Sequence, residues 1–189
     1  FRHPELGNAS YLVGSGREAG VIDPVRDVGR YLISARERGA QIRWVLETHL
    51  HNDFLSGGRE LARRAGAVLG APRGSRLAFP HRTVSEGERL DLDGGFLLGR
   101  ASPGHTPEHT SYLLVDEHGR PRRLFSGGSL MVGSAARPDL LGPRYTLPLA
   151  RNEWGTLRRY GRELPSNVVV HPTHAGGSFC GPGASPAMR

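Results

Sequence analysis

The chain has 189 residues, 37% hydrophobic and 23% charged. That is the balance of one soluble globular domain over residues 1–189, not of a disordered or membrane-spanning chain. Its formal charge of +7 rests on arginines scattered over Arg26, Arg30, Arg36, Arg38, Arg120, Arg122 and Arg123. They form no block, and no nucleic-acid motif accompanies them, so the excess fits an arginine-rich genome or an anionic small substrate, and no nucleic-acid partner is expected. The one cysteine, Cys180, excludes an internal disulfide and suits a reducing cytoplasm. No apolar run approaches the roughly 20 residues needed to cross a bilayer, and Phe1-Arg2-His3-Pro4 does not read as a secretion signal.

In chain order, Ser10–Val13 and Gly20–Ile22 read as short strands joined by a Gly-Ser-Gly turn. Asp23-Pro24 reads as a helix cap with proline at the first helical position, and Val25, Val28, Leu32 and Ala35 follow at helical spacing up to Gly39. Arg43–Glu47 is the next strand, Ser56–Ala65 a short helix and Ala67–Leu69 a short strand. Further strands are expected at Arg89–Leu92, Phe96–Leu98, Ser111–Val115 and Arg123–Phe125. Residues 126–146 read as a long loop rich in glycine and proline. Leu147, Ala150, Trp154, Leu157 and Leu164 mark a late amphipathic helix, and Asn167–Val170 a last strand. This order suits two sheets flanked by helices.

The chemistry lies where histidines follow strands: His49 and His51, then His105, then His174. Loops at strand ends can converge without disturbing the core, and neutral imidazole is a ligand for Zn and Fe. Asp53 adds a carboxylate. His3, His81, His118 and His171 lack such a setting; His109 lies close enough to His105 to watch.

Thr48-His49-Leu50-His51-Asn52-Asp53 resembles the Thr-His-X-His-X-Asp-His signature of the metallo-β-lactamase superfamily. Ser102-Pro103-Gly104-His105-Thr106 resembles its Pro-Gly-His-Thr loop, and Pro172-Thr173-His174 its last histidine loop. Phe125-Ser126-Gly127-Gly128-Ser129-Leu130 and Arg137-Pro138-Asp139-Leu140 resemble its Gly-Asp and Gly-Arg-Pro-Asp-Leu stretches. Gly177-Ser178-Phe179-Cys180 and the run Glu47–Gly57 are similar to persulfide dioxygenases, including those fused to rhodanese domains; glyoxalase II is a neighbouring branch. The resemblance implies a four-layer αββα sandwich. It implies that His49, His51 and His105 hold a first metal, that Asp53, the motif's final histidine and His174 hold a second, and that an aspartate bridges them.

Two implied ligands are missing: Phe54 replaces the final histidine, and Gly128 the bridging aspartate. The second metal site is therefore expected to be lost, leaving one transition metal ion, Zn or Fe(II). Three outcomes stay open. Three histidines could hold a Zn that hydrolyses an ester or thioester; Asp53 could substitute as the carboxylate for Fe(II); or the site could be weak. Restoring a carboxylate with Gly128→Asp is expected to raise iron retention. Cys180 reads either as a small buried hydrophobe or as a thiolate passing sulfane sulfur. Arg137 reads either as a clamp for a substrate carboxylate or as a salt bridge to Asp139. The expected function is a metal-dependent, persulfide dioxygenase-like or hydrolase-like enzyme acting on a small thiol-derived substrate. The alternative is a metal-poor or sulfur-relay domain partnering a rhodanese. A cytoplasmic location, no membrane partner and a homodimer complete the expectations.

Overall fold

A computed structural model describes residues 1–175 and 178–180. In chain order its elements are β1 (Arg2–His3), β2 (Asn8–Ala9), β3 (Tyr11–Ser15), β4 (Glu18–Ile22), α1 (Gly29–Glu37), β5 (Gln41–Leu46), α2 (Gly58–Ala65), β6 (Val68–Pro72), β7 (Arg82–Val84), β8 (Arg89–Leu92), β9 (Gly95–Ala101), β10 (Thr110–Asp116), β11 (Pro121–Gly127), α3 (Pro143–Glu163) and β12 (Val169–Pro172). One five-stranded sheet runs β3-β4-β5-β6-β7 and another β12-β11-β10-β9-β8, with β1 and β2 as a separate ribbon.

Alternating side chains sort the layers. Ile22, Trp44 and Leu46 of the first sheet meet Leu90, Leu97, Tyr112 and Phe125 of the second in a shared core. Their neighbours Val21, Ile42 and Val45 point the other way, onto Tyr31 and Ala35 of α1 and Leu61 of α2. Leu113, Val115 and Leu124 likewise face Tyr160 of α3. The result is helix, sheet, sheet, helix, as expected. Ile42 and Trp44 are two residues apart yet face opposite layers. A register shift pairs Ala19 with Ile42 and Gly20 with Trp44, passing over Arg43, and such a bulge reverses the alternation.

Several local expectations are corrected. α1 begins at Gly29, not after Asp23. Asp23 is no helix cap: at φ 51° it turns its buried carboxylate to the backbone N–H and hydroxyl of Thr48, both at 2.7 Å. The late helix begins at Pro143, inside the stretch read as loop. Its buried stripe is Leu149, Glu153, Thr156 and Tyr160, whereas Leu147 and Trp154 are exposed. The inward face is partly polar because it meets a loop: the Thr156 hydroxyl donates to the Pro103 carbonyl at 3.0 Å. Strand β7 and the β1–β2 ribbon were missed because two or three residues carry no readable alternation. Among the described residues, no helix is long and apolar enough to cross a membrane.

Candidate metal centre

The turn after β5 carries His49, His51 and Asp53, the turn after β9 carries His105, and the turn after β12 carries His174. His49 and His105 thus come from different sheets. His49, His105 and His174 are buried, and their ligand atoms lie within 4.8 Å of one another.

Hydrogen bonding fixes which ring nitrogen of each is free. Thr48 donates its hydroxyl proton to Asp23 Oδ2 at 2.7 Å, so Thr48 Oγ1, 2.8 Å from His49 Nδ1, accepts the His49 Nδ1–H. Asn8 donates its amide N–H to Asp53 Oδ2 at 2.6 Å, which turns its carbonyl oxygen to His174. His174 Nδ1–H donates to that oxygen at 2.9 Å, and the Ser178 hydroxyl donates to it as well at 3.0 Å. His105 Nδ1–H donates to the Arg137 carbonyl at 3.1 Å. In a neutral imidazole with Nδ1 protonated, Nε2 carries a lone pair.

His49 Nε2 and His174 Nε2 are 3.2 Å apart, so two lone pairs face each other. A cation resolves that contact. Tetrahedral Zn with Zn–N bonds of about 2.0–2.1 Å places neighbouring nitrogens about 3.3 Å apart. Burial holds all three rings neutral: it drives His49 well below its ordinary value, helped by neighbouring imidazoles, lowers His105 and takes His174 down to about 3. Neutral rings with fixed tautomers are what a metal requires.

Gly128 bears directly on this trio. A Cβ there would lie 2.5 Å from His105 Cδ2, so the ring occupies the space in which the implied bridging aspartate would begin. Behind His105, a Cβ on Gly104 would meet the backbone Cα of Glu153 at 2.6 Å; α3 therefore sits hard against this loop.

The fourth expected ligand, His51, is placed elsewhere. Its Nε2 lies 3.1 Å from Asp23 Oδ1 and 3.5 Å from Glu47 Oε2, and the Phe54 ring packs on it at 4.3 Å between centroids. Burial opposes a charge on His51, yet Asp23 and Glu47 raise it to about 10. Burial pushes Glu47 upward, while His51 holds Asp23 down against the same burial. A second grouping brings His51, Asp53 and His174 within ligand distance. Asp53 Oδ2 is engaged by Asn8, and its Oδ1 has no hydrogen-bond partner among the described residues.

Three other expectations are altered. The Arg137 guanidinium pairs with Asp139 through Nε at 2.9 Å and Nη2 at 2.6 Å, the salt-bridge reading; its backbone carbonyl, not its charge, serves His105. Cys180 is buried, and burial with the Asp53 carboxylate pushes its thiol up to about 12, the opposite of an activated thiolate. Residue 177 of the adjoining motif lies outside the described residues. His109 Nε2 accepts the Gly128 N–H at 3.0 Å, and its Nδ1 is 2.8 Å from Ser102 Oγ, so it is spent on structure. The supporting groups Asn8, Asp23 and Glu47 were not foreseen as site residues; of these only Glu47, directly before the histidine motif, stood near an evident signal.

A cavity of about 970 Å³ opens beside the site. It is lined by His49, His51, Leu50, Phe54, Phe79 and Arg59, with Arg26, Arg63 and Arg64 also on its walls.

Comparison with known proteins agrees with this architecture. Residues 3–181 match the metallo-beta-lactamase superfamily. A hydroxyacylglutathione hydrolase of Acidiphilium cryptum is 31% identical over 164 residues, covering 76% of this chain and 67% of the relative. A mitochondrial persulfide dioxygenase of Mus musculus is 28% identical over 177 residues, covering 90% of this chain and 65% of the relative. A metallo-beta-lactamase structure from Staphylococcus aureus superposes with a TM-score of 0.86 at 33% identity, covering 95% of this chain and 56% of the other. The chain thus spans about half to two thirds of the length of these proteins.

Proposed function

The chain belongs to the metallo-beta-lactamase superfamily, and from that premise we propose a metal-dependent enzyme whose catalytic centre holds one ion and hydrolyses a small thiol-derived substrate, a thioester. One observation carries the reading: three imidazoles whose Nδ1 protons are committed to Thr48, Asn8 and the Arg137 carbonyl converge, with His49 Nε2 and His174 Nε2 3.2 Å apart. His49, His105 and His174 would hold the ion. A bound Zn there would supply a Lewis acid that lowers the pKa of water toward neutrality.

The chain's own groups do the rest. Asn8 holds both His174 and Asp53, so the carboxylate has one oxygen anchored and the other available to accept a proton. Phe54, Leu50 and Phe79 offer an apolar wall for the acyl or alkyl part of a substrate, while the charged rim mixes Arg26, Arg59 and Arg64 with Asp27 and an Arg63–Glu60 ion pair. The persulfide-oxidising alternative draws on a carboxylate in the ligand set. The three-histidine trio contains none, and a Cβ at Gly128 meets the His105 ring; the carboxylate-bearing group His51, Asp53 and His174 draws on a His51 whose Nε2 faces Asp23 and Glu47 and an Asp53 whose Oδ2 is held by Asn8. The relatives that act on glutathione thioesters and on persulfides keep both reactions within the family.

The test is metal content of protein purified without added metal, followed by hydrolysis of a glutathione thioester set against oxygen uptake with glutathione persulfide. About one equivalent of Zn, with thioester turnover and no oxygen uptake, is expected. Less than about a tenth of an equivalent of any transition metal overturns the reading in favour of a non-catalytic domain partnering a rhodanese.

A further inference from the structure

We propose that Asp23, Glu47 and His51 form a second metal site, separate from the three-histidine centre and from the site that Phe54 and Gly128 interrupt, and that it takes a divalent cation of the Mn²⁺ class. This inference does not depend on the proposed hydrolysis. It contradicts the expectation of a single ion.

The geometry comes first. His51 Nε2 is 3.1 Å from Asp23 Oδ1 and 3.5 Å from Glu47 Oε2, and the three ligand atoms lie within 4.8 Å of one another. An octahedral ion with bonds near 2.1 Å sets adjacent donors about 3.0 Å apart. Second, valence is unmet. Glu47 Oε2 and both nitrogens of His51 are buried without a hydrogen-bond partner among the described residues. The His51 contact with Asp23 has the length of a hydrogen bond but not its direction. Orphaned buried polar atoms of this kind call for an unseen ion or water.

Third, the rest of each ligand is anchored. Glu47 Oε1 accepts the Ser56 hydroxyl. Asp23 Oδ2 accepts the hydroxyls of Thr48 and Thr173, and Oδ1 accepts the Thr48 N–H while keeping a second lone pair toward His51. A Cβ at Gly58 would come within 2.1 Å of Glu47 Oε1, so glycine keeps room for the carboxylate. The Phe54 ring on His51 holds the imidazole to this side. Finally, two carboxylates and one imidazole, which gives up its ring proton as the ion binds, match the charge of a divalent cation, and this oxygen-rich set suits Mn better than the all-nitrogen trio does. Glu47 and His51 line the 970 Å³ cavity, which gives an ion its route in.

The experiment uses the whole chain carrying one equivalent of Zn²⁺, titrated with Mn²⁺ while electron paramagnetic resonance follows free aquo-Mn²⁺. Wild type is expected to take up one further equivalent. Glu47→Gln and Asp23→Asn should weaken that uptake at least tenfold. His105→Ala should lose Zn²⁺ yet keep Mn²⁺, which separates this site from the three-histidine one. Anomalous difference density at the manganese edge, in wild-type crystals soaked with Mn²⁺, should fall between Asp23, Glu47 and His51, and needs no variant to fold. No Mn²⁺ uptake by wild type, density elsewhere, or uptake unchanged in folded Glu47→Gln overturns the proposal.

Discussion

Gly128 offers the sharpest test of how the candidate centre is held. A methyl group there would sit 2.5 Å from His105 Cδ2, 2.9 Å from Cγ and 3.1 Å from Ala136 Cβ. Ordinary contact begins near 3.4 Å, so Gly128→Ala must drive the ring back by about 0.9 Å or shift the backbone. Metal–ligand distances tolerate about 0.2 Å. Overpacking a tight site costs about 1–3 kcal/mol, which is about 5–150-fold in affinity if it falls on the metal-binding geometry. If it falls on the fold instead, Tm should drop by about 2–12 °C. Competition for Zn²⁺ against a chromophoric chelator, alongside thermal melts, measures both. Gly128→Asp should share this loss, because its carboxylate arrives only with the same Cβ; the expectation that it raises iron retention is therefore reversed. Zn affinity within twofold of wild type together with an unchanged Tm in Gly128→Ala would refute the argument.

Two further outcomes follow from the surroundings of the site. Asn8→Ala removes the acceptor for His174 Nδ1–H and the donor to Asp53, and should weaken Zn²⁺ binding about 10–100-fold, as loss of such supporting partners does; chelator competition measures it, and wild-type affinity in a folded variant would show that the tautomer is set by something else. Cys180 is raised from 9.0 to about 12. Its thiolate fraction at neutral pH is then roughly a thousandfold below that of an ordinary thiol, so iodoacetamide should label it that much more slowly and faster as pH rises. Labelling of native protein at the rate of free cysteine near pH 7.5 would contradict the burial.

The sequence made the layers legible because strand alternation and helical spacing report burial directly. It made the histidines legible because imidazoles clustered after strands have few other uses. It could not say which way His51 turns. His49 and His51 sit in one motif with the same ring, and only the through-space positions of Asp23, Glu47 and Phe54 decide between the two sides. Asp23 itself was misread because Asp-Pro before a hydrophobic pattern carries a capping signal, while the groups it serves, Thr48 and Thr173, lie far along the chain. The phase of α3 was misjudged for a related reason: Glu153 and Thr156 face inward toward the His105 loop, and a pattern search that equates inward with apolar passes them over.

One consequence of the trio concerns chain topology. His49 and His174 are 125 residues apart in sequence, and the chain has a single cysteine, so no disulfide within it can tie distant parts together. An ion shared by His49, His105 and His174 would close loops in both halves of the chain and cross-link the two sheets. A covalent link over about 100 residues restricts the unfolded ensemble by roughly 4–5 kcal/mol; a coordinate link works in the same direction while it lasts. Stripping the ion should therefore loosen the seam between the sheets before either sheet's own ladder, so the histidines would act as a clasp on the fold whether or not the ion does chemistry.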